Sequence, residues 1–453
     1  MPKSLRAAAA LACLLLGPAS LAANGGATPQ TIEQIRQMVE KQYSALETFY
    51  TTLHREPELS LAEEKTARRL ADQLRSAGFE VTEHVGGHGV VAVLKNGPGK
   101  TLLIRTDLDA LPVKEQTGAP YHSTAQTKNA AGQAVDVMHA CGHDIHVTCL
   151  AGVARNMAEL KDRWKGTLVL IGQPAEEIVH GARDMLKDGL FTRFPRPDWC
   201  LALHVDAELE AGKVGFVSGY ALANVDSVDV TVRGVGSHGA QPDKGKDPVV
   251  IAAQTILALQ TIDSREIDPV QPVVVTVGSV HGGTKRNIIA DEVVMQLTVR
   301  TYTDDVRHKT LTAIDRIARG IALSAGVPED RMPVVTHLHD ESTPATYNDP
   351  AMVDRVVATF RKVLGEPNVV KREPVMGAED FGRFGLEEPK VPIFMYRLGS
   401  ISAERLAESK KPGGRPLPSL HSGLYLPEPT KTIRTGVATM TASKFFSASN
   451  SLR

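Results

Sequence analysis

The chain has 453 residues, 42% hydrophobic and 23% charged, with a formal net charge of −1 at pH 7. That is ordinary globular composition and long enough for two domains. With no basic excess, nothing points to nucleic acid or an anionic membrane surface as a partner.

Residues 1–23 stand apart. Lys3 and Arg6 precede an apolar run over 7–17, then Pro18 and the small-residue end Ser20-Leu21-Ala22-Ala23. This pattern predicts a secretory signal peptide cut after Ala22 or Ala23, and an exported, periplasmic or secreted protein. The run is short for a membrane anchor, and Cys13 lies inside it rather than at its end, which argues against lipid attachment. No later stretch is long and apolar enough to span a bilayer, so no membrane contact is expected after cleavage. Beyond that segment only Cys141, Cys149 and Cys200 remain, too few and too odd for a disulfide framework. Cys149 and Cys200 read as core residues.

Residues 31–50 have helical periodicity, with Ile32, Ile35, Val39, Tyr43 and Leu46 on one face; the stretch 53–59 breaks it. A second helix over 61–77 closes at Gly78. Residues 90–95 and 101–106 read as strands around the turn Asn96-Gly97-Pro98-Gly99. The second runs into Asp107-Leu108-Asp109, and acids at the carboxyl end of a strand are where an open α/β sheet builds its site. Taken alone, Asp-x-Asp is explained as well by turn chemistry. A helix over 145–160 follows, then a buried strand over 167–172 leading to Glu176-Glu177, a short helix over 181–189, and a buried strand over 199–203 ending at His204. Strand and helix alternate, and Asp107, Glu176, Glu177 and His204 each follow a strand, which predicts an α/β domain with one site at one sheet edge.

The texture changes near residue 224. Residues 225–233, 273–280 and 293–300 alternate apolar and polar, as half-solvated antiparallel strands do. Helices over 247–262 and 304–325 interrupt them, and alternation over 334–338 closes the unit. We read residues 31–223 and 337–450 as one catalytic domain and 224–336 as an α+β unit inserted into it. The second part continues with a helix over 349–364, a strand over 391–396, a loop over 401–418 and a final helix over 430–446.

The chemistry centres on Met138-His139-Ala140-Cys141-Gly142-His143-Asp144. Thiolate and imidazole are both strong ligands for a transition-metal dication. A Cys and a His two apart share a side of an extended chain, so both reach one site; the bland alternative is a buried Cys beside a hydrogen-bonded loop His. Side chains of adjacent glutamates diverge, so one of Glu176 and Glu177 can bind metal while the other holds a water beside it. His204 and His421 are further candidate ligands. Gly on both sides of Ser237-His238 suggests a close approach, from which His238 donates to a carbonyl oxygen gaining charge. Asn287 sits in a similar loop. Arg300 ends a strand and either pairs a substrate carboxylate or caps the strand. Gly377-Ala378-Glu379-Asp380-Phe381-Gly382 adds two acids in a glycine-flanked turn. His54, His84, His88, His308 and His337 have no supporting neighbours in sequence and read as structural or surface residues.

Several of these motifs occur in an informative order. His54-Arg55 with Pro57-Glu58-Leu59, Arg105-Thr106-Asp107-Leu108-Asp109-Ala110-Leu111-Pro112, the Cys141 segment, Gln173-Pro174-Ala175-Glu176-Glu177, Ser237-His238-Gly239-Ala240, Asn287-Ile288-Ile289 and Met376-Gly377-Ala378-Glu379-Asp380-Phe381 together resemble the amidohydrolase branch of the aminoacylase and zinc-carboxypeptidase family. That branch includes hippurate hydrolases and plant auxin-conjugate hydrolases. The resemblance implies a two-domain α/β fold, a mixed-sheet zinc-peptidase-like catalytic domain with an inserted lid that mediates dimerisation. It implies two divalent metal ions per subunit (zinc, manganese, cobalt or nickel) held by Cys141, His143, Glu177, His204 and His421, with Cys141 able to bridge. Glu176 matches the general base, and His238 the lid histidine that polarises the scissile carbonyl, often from a partner subunit. Asp107 and Asp109 would support the ligands from behind, and Asn287 lies near substrate. The chain departs from the branch at Ser422-Gly423-Leu424-Tyr425 after His421, at Ala290, and at His180 where the branch carries Gly; these touch substrate preference more than chemistry. The expected activity is hydrolysis of N-acyl amino acids or related small amides. Dipeptidase or carboxypeptidase activity, and a non-catalytic exported metal- or ligand-binding protein, are the alternatives.

Overall fold

The computed structural model describes residues 27–129 and 131–446. The predicted signal peptide and residues 447–450 lie outside them.

An eight-stranded mixed sheet organises the larger part of the chain, in the order Glu80–Glu83, Val90–Asn96, Gly166–Gln173, Thr101–Asp107, Trp199–Glu210, Ile393–Ile401, Val214–Phe216, Val369–Lys371. Its middle is parallel: Thr101–Asp107 pairs with Gly166–Gln173 and Trp199–Glu210, and the latter with Ile393–Ile401. The two strands around the Asn96 turn do not pair with each other. Gly166–Gln173 lies between them, antiparallel to Val90–Asn96. Strand Trp199–Glu210 also runs past its expected end, so His204 lies within the strand instead of following it.

Alternation along these strands sorts their side chains onto two faces. Leu102, Ile104, Leu168, Leu170, Leu201, Leu203, Phe394 and Tyr396 pack into one cluster with the long helices Pro29–Arg55, His143–Glu159, Pro350–Leu364 and Pro429–Ser443. Leu103, Val169, Ile171, Cys200, Ala202, Ile393 and Met395 face the opposite way, toward Gly181–Lys187, Leu190–Arg193 and the turn Asp380–Gly385. The same alternation puts Arg105, Asp107, Gln173, His204 and Arg397 on that second face, near the carboxyl ends of the parallel strands.

Helix Pro29–Arg55 begins where Thr28 accepts a hydrogen bond from the Thr31 amide and Pro29 takes the first turn. It continues beyond residue 50 because Phe49, Tyr50 and Leu53 extend its buried face, and it stops at Glu56, before Pro57. Each large apolar side chain buried this way contributes roughly 1.5–3 kcal/mol.

A second sheet is wholly antiparallel, in the order Val273–Gly282, Glu292–Thr301, Val225–Arg233, Val334–Thr343. Its last strand runs past residue 336 to Thr343. Val228, Val230, Val232, Met295, Leu297 and Val299 turn inward against helices Pro248–Thr261 and Asp304–Ser324. Asp247 and Thr303 cap those helices. Where the chain enters the unit, Asn224 Oδ1 accepts from the Thr301 amide at 2.7 Å, and its amide nitrogen donates to Asp226. No helix among the described residues is long and apolar enough to cross a membrane.

Candidate metal centre and active site

The segment carrying Cys141 is shaped by Gly142, which takes φ 73° at the start of helix His143–Glu159. A Cβ there would lie 2.8 Å from Val205 Cγ2, so glycine alone lets Cys141 and His143 face one centre. Three other residues near the site hold positive φ without being glycine: Ala175 at 52°, Val179 at 55° and His421 at 67°. Such backbone is costly and persists only where surrounding contacts impose it. Here Glu63 Oε1 accepts from the Ala175 amide at 2.8 Å, Asp109 Oδ2 accepts from the Glu177 amide at 3.0 Å, and the His421 amide donates to the Ala140 carbonyl at 2.9 Å.

Two sets of donors converge. Cys141, His143 and His204 bring ligand atoms within 4.8 Å of one another, and so do Cys141, Glu177 and His421. The sets share Cys141. Each histidine that is tethered is tethered by its other nitrogen. His143 Nδ1 donates to the Asp109 carbonyl at 2.9 Å, and His204 Nδ1 to the Val205 carbonyl at 2.8 Å, leaving both Nε2 atoms for the centre. Cys141 Sγ lies 3.5 Å from His204 Nε2, and His421 Nε2 lies 3.5 Å from Glu177 Oε2. His143 Nε2 and Glu177 Oε1 are buried without any hydrogen-bond partner. Orphaned buried donors of this kind, thiol, imidazole and carboxylate around one point, fit a pair of transition-metal dications.

Charge around the centre agrees. Burial pushes the Glu177 carboxyl up to about 7 against the pull of His143. Burial, then Glu379 and the neighbouring Glu177, push Glu176 well above the carboxylate range. Burial raises the Cys141 thiol and lowers His204, which keeps that imidazole neutral. Excess negative charge that burial disfavours is what a bound cation relieves. One buried guanidinium already offsets part of it. Arg105 donates to Asp107 at 2.6 Å, Glu379 at 2.8 Å and Asp380 at 3.2 Å, and its Nε donates to Gln173 at 3.0 Å.

Of the residues expected from sequence, Cys141, Glu176, Glu177, His204, His421 and Arg300 line one cleft of about 750 Å³. His143 lies buried beneath it. Asp109 Oδ1 lies behind His143, 3.5 Å from its Nδ1, whereas Asp107 Oδ2 lies 3.7 Å from the Nε2 that faces the centre, so only Asp109 takes the supporting place expected for both. His238 and Asn287 are exposed and do not line the cleft. They neighbour each other: strand Ser237–His238 pairs with Ile288–Ile289, and the Gly239 amide donates to the Asn287 carbonyl.

Sequence reading missed other residues. His146, one helical turn after His143, donates through Nδ1 to Asp107 at 2.6 Å and accepts from the Val205 amide at 2.9 Å, fastening two strands behind the centre. Its i, i+3 spacing from His143 was the available signal. His54 does have neighbours: it is buried between Asp144 at 2.6 Å and Glu115 at 3.1 Å. Burial opposes its charge, but those carboxylates raise it to about 9. Glu63 and Arg397 had no local signal at all.

Comparison with known proteins agrees with this arrangement. A carboxypeptidase of Saccharolobus solfataricus, named thermostable carboxypeptidase 2, is 36% identical over 76% of this chain and 83% of its own length. A hippurate hydrolase of Campylobacter jejuni is 36% identical over 73% of this chain and 82% of its own. The crystal structure of a Bacillus subtilis protein described as a dinuclear metal-binding peptidase superposes with a TM-score of 0.72, at 26% identity, covering 90% of this chain and 99% of that one. Residues 103–412, which hold every residue of the centre except His421, match Peptidase family M20/M25/M40. The chain belongs to that family.

Proposed function

We propose that this protein hydrolyses the amide bond of N-acyl amino acids or related small amides, using two divalent metal ions. The observation that carries the reading is the pair of donor sets sharing Cys141, with the unused carboxylate of Glu176 beside them in the same cleft. Cys141, His143 and His204 would hold one ion, and Cys141, Glu177 and His421 the other. When bound, the metals would acidify a water and polarise the scissile carbonyl. Glu176 takes the proton of the attacking water and later gives it to the leaving nitrogen. Asp109 and Glu63 hold the backbone on either side of Glu176. Ile178, Val179, Leu222 and Val375 give the cleft an apolar wall suited to an acyl group.

Zinc suits the thiolate–imidazole–carboxylate set, with manganese, cobalt or nickel as alternatives. We propose a homodimer formed through the lid, in which His238 and Asn287 serve a second copy's cleft; their exposure away from this chain's own cleft supports the reading. Export by way of the segment 1–23 is part of the same proposal. Mature N-terminal sequencing after expression in a secreting host tests it, and an intact N-terminus would refute it.

The name of the carboxypeptidase relative favours peptide hydrolysis as the second reading. A panel of hippurate, N-acetyl amino acids, indole-acetyl conjugates and dipeptides separates the two. It is assayed with protein stripped of metal and then reloaded with zinc, manganese or cobalt. Metal-restored cleavage of the acyl amino acids supports the proposal. Cleavage of dipeptides alone moves the protein to the peptidases, and stoichiometric metal binding with no cleavage of any substrate points to a binding role.

A further inference from the structure

Arg397 lies on strand Ile393–Ile401 with His204 as its Cα partner on the neighbouring strand. Paired residues on adjacent strands leave the sheet on the same side, and Arg397 lines the same cleft as His204, Cys141 and Glu176. The acids that dominate its electrostatic surroundings are Asp206 and Glu379. Both are engaged elsewhere: Asp206 pairs with Arg372 at 3.2 Å, and Glu379 with Arg105 at 2.8 Å. Among the described residues no hydrogen bond or ion pair reaches the Arg397 guanidinium. Burial lowers its pKa from the ordinary value, yet a guanidinium keeps its proton in proteins. The cleft therefore carries a half-buried cation, with an unused fork of donors, next to the catalytic centre. Arg300 also lines the cleft, but from the lid, and it is already turned toward the Met376 carbonyl at 3.3 Å. Apart from the residues of the centre, His180 and Ser227, the remaining wall is apolar or acidic, including Glu341, so the two arginines are its only side chains with a permanent positive charge.

We propose that Arg397 is the specificity-determining residue of this cleft, binding a carboxylate of the acylated substrate through its guanidinium fork. The proposal rests on the amidohydrolase reading. Two chemical sources supply such a carboxylate: the amino-acid half released on hydrolysis, or an acyl chain ending in an acid.

The test pairs substrates that differ only in that charge, with metal-loaded wild type, Arg397→Gln, Arg397→Lys and Arg300→Gln. Hippurate against hippuramide probes the amino-acid side, and N-succinylbenzylamine against N-butyrylbenzylamine the acyl side. We expect Arg397→Gln to lose about 30- to 100-fold in kcat/KM on the charged member of one pair, mainly through KM, with a change under about threefold on its neutral partner. Arg397→Lys should recover part of the loss and serves as the folding control. The pair that responds names the source. Equal losses on charged and neutral partners, or a charge-selective loss that appears only in Arg300→Gln, overturns the proposal. A second readout uses calorimetric binding of 3-benzoylpropanoate, the hippurate analogue with a methylene in place of the amide nitrogen. If wild type cleaves nothing but binds this ketone in an Arg397-dependent way, the hydrolase reading fails and the carboxylate site stands. If it cleaves the panel without charge discrimination and binds the ketone equally in Arg397→Gln, the reverse holds.

Discussion

Glu63 offers a sharp test of how the site is braced. The residue is fully buried, and its Oε1 accepts from the Leu61 amide at 3.0 Å and the Ala175 amide at 2.8 Å, while Oε2 has no partner. Burial, then the charge on Asp109, raise its carboxyl from 4.5 to about 7. A carboxyl whose folded pKa lies above its unfolded value weakens the fold as pH rises: the unfolded chain releases its proton near 4.5, while the folded chain keeps it until about 7. At 1.36 kcal/mol per pH unit, the penalty reaches about 3 kcal/mol above pH 7. Glu63→Gln keeps the accepting oxygen and cannot ionise. Near pH 4, protonated Glu leaves one O–H unmatched and Gln two N–H, a difference that does not change with pH. The variant should then gain about 3 kcal/mol on wild type between pH 4 and 8. Urea unfolding of metal-stripped protein at both pH values measures the difference, and a constant offset from any side-chain strain cancels from it. A variant whose advantage does not grow with pH would refute the argument.

Three further outcomes follow from the same geometry. Glu176→Gln should lower kcat by about 10²- to 10⁴-fold while metal content, read by elemental analysis, stays at the wild-type level; near-normal turnover would remove Glu176 from the base role. His146→Ala strands Asp107 and the Val205 amide, so unfolding free energy should fall by about 2–4 kcal/mol and metal affinity by about 10- to 100-fold; unchanged affinity would mean that His146 does not orient the centre. Gly142→Ala must adopt left-handed backbone at about 1–2 kcal/mol and push Val205 aside, so both melting temperature and metal affinity should drop, and an unperturbed metal titration would show that the turn does not set the ligand positions.

The antiparallel sheet was legible because its strands are half solvated. A strand wet on one face must alternate, and Val225–Arg233 alternates without interruption. Strands buried on both faces carry no such phase, which is why Val90–Asn96 and Thr101–Asp107 looked like neighbours across their turn. The strand that separates them, Gly166–Gln173, is about 60 residues away in sequence, and nothing local announces it. His204 marks the same blind spot from the other side. The apolar run stops at Leu203 because the next inward-facing position belongs to the site, not because the strand ends.

The chemical residues divide along the same line. Cys141, His143, Glu176 and Glu177 were readable because ligand chemistry concentrates them in short motifs. Glu63, Arg105 and His146 act through partners distant in sequence, and Arg397 reaches the cleft only by its register beside His204, so their places exist only once the sheet is assembled. Arg105 is the clearest case. In sequence it is a charged residue two before an aspartate, indistinguishable from a surface ion pair. In the fold it is fully buried and holds Asp107, Glu379 and Asp380 from one point. Removing one partner of such a buried set costs about 3–5 kcal/mol, because the remaining charges stay behind in low dielectric. The face of the sheet on which a residue lands thus decides whether its charge is solvated, structural or catalytic. That face follows from strand register, which one sequence specifies only through contacts made across the whole domain.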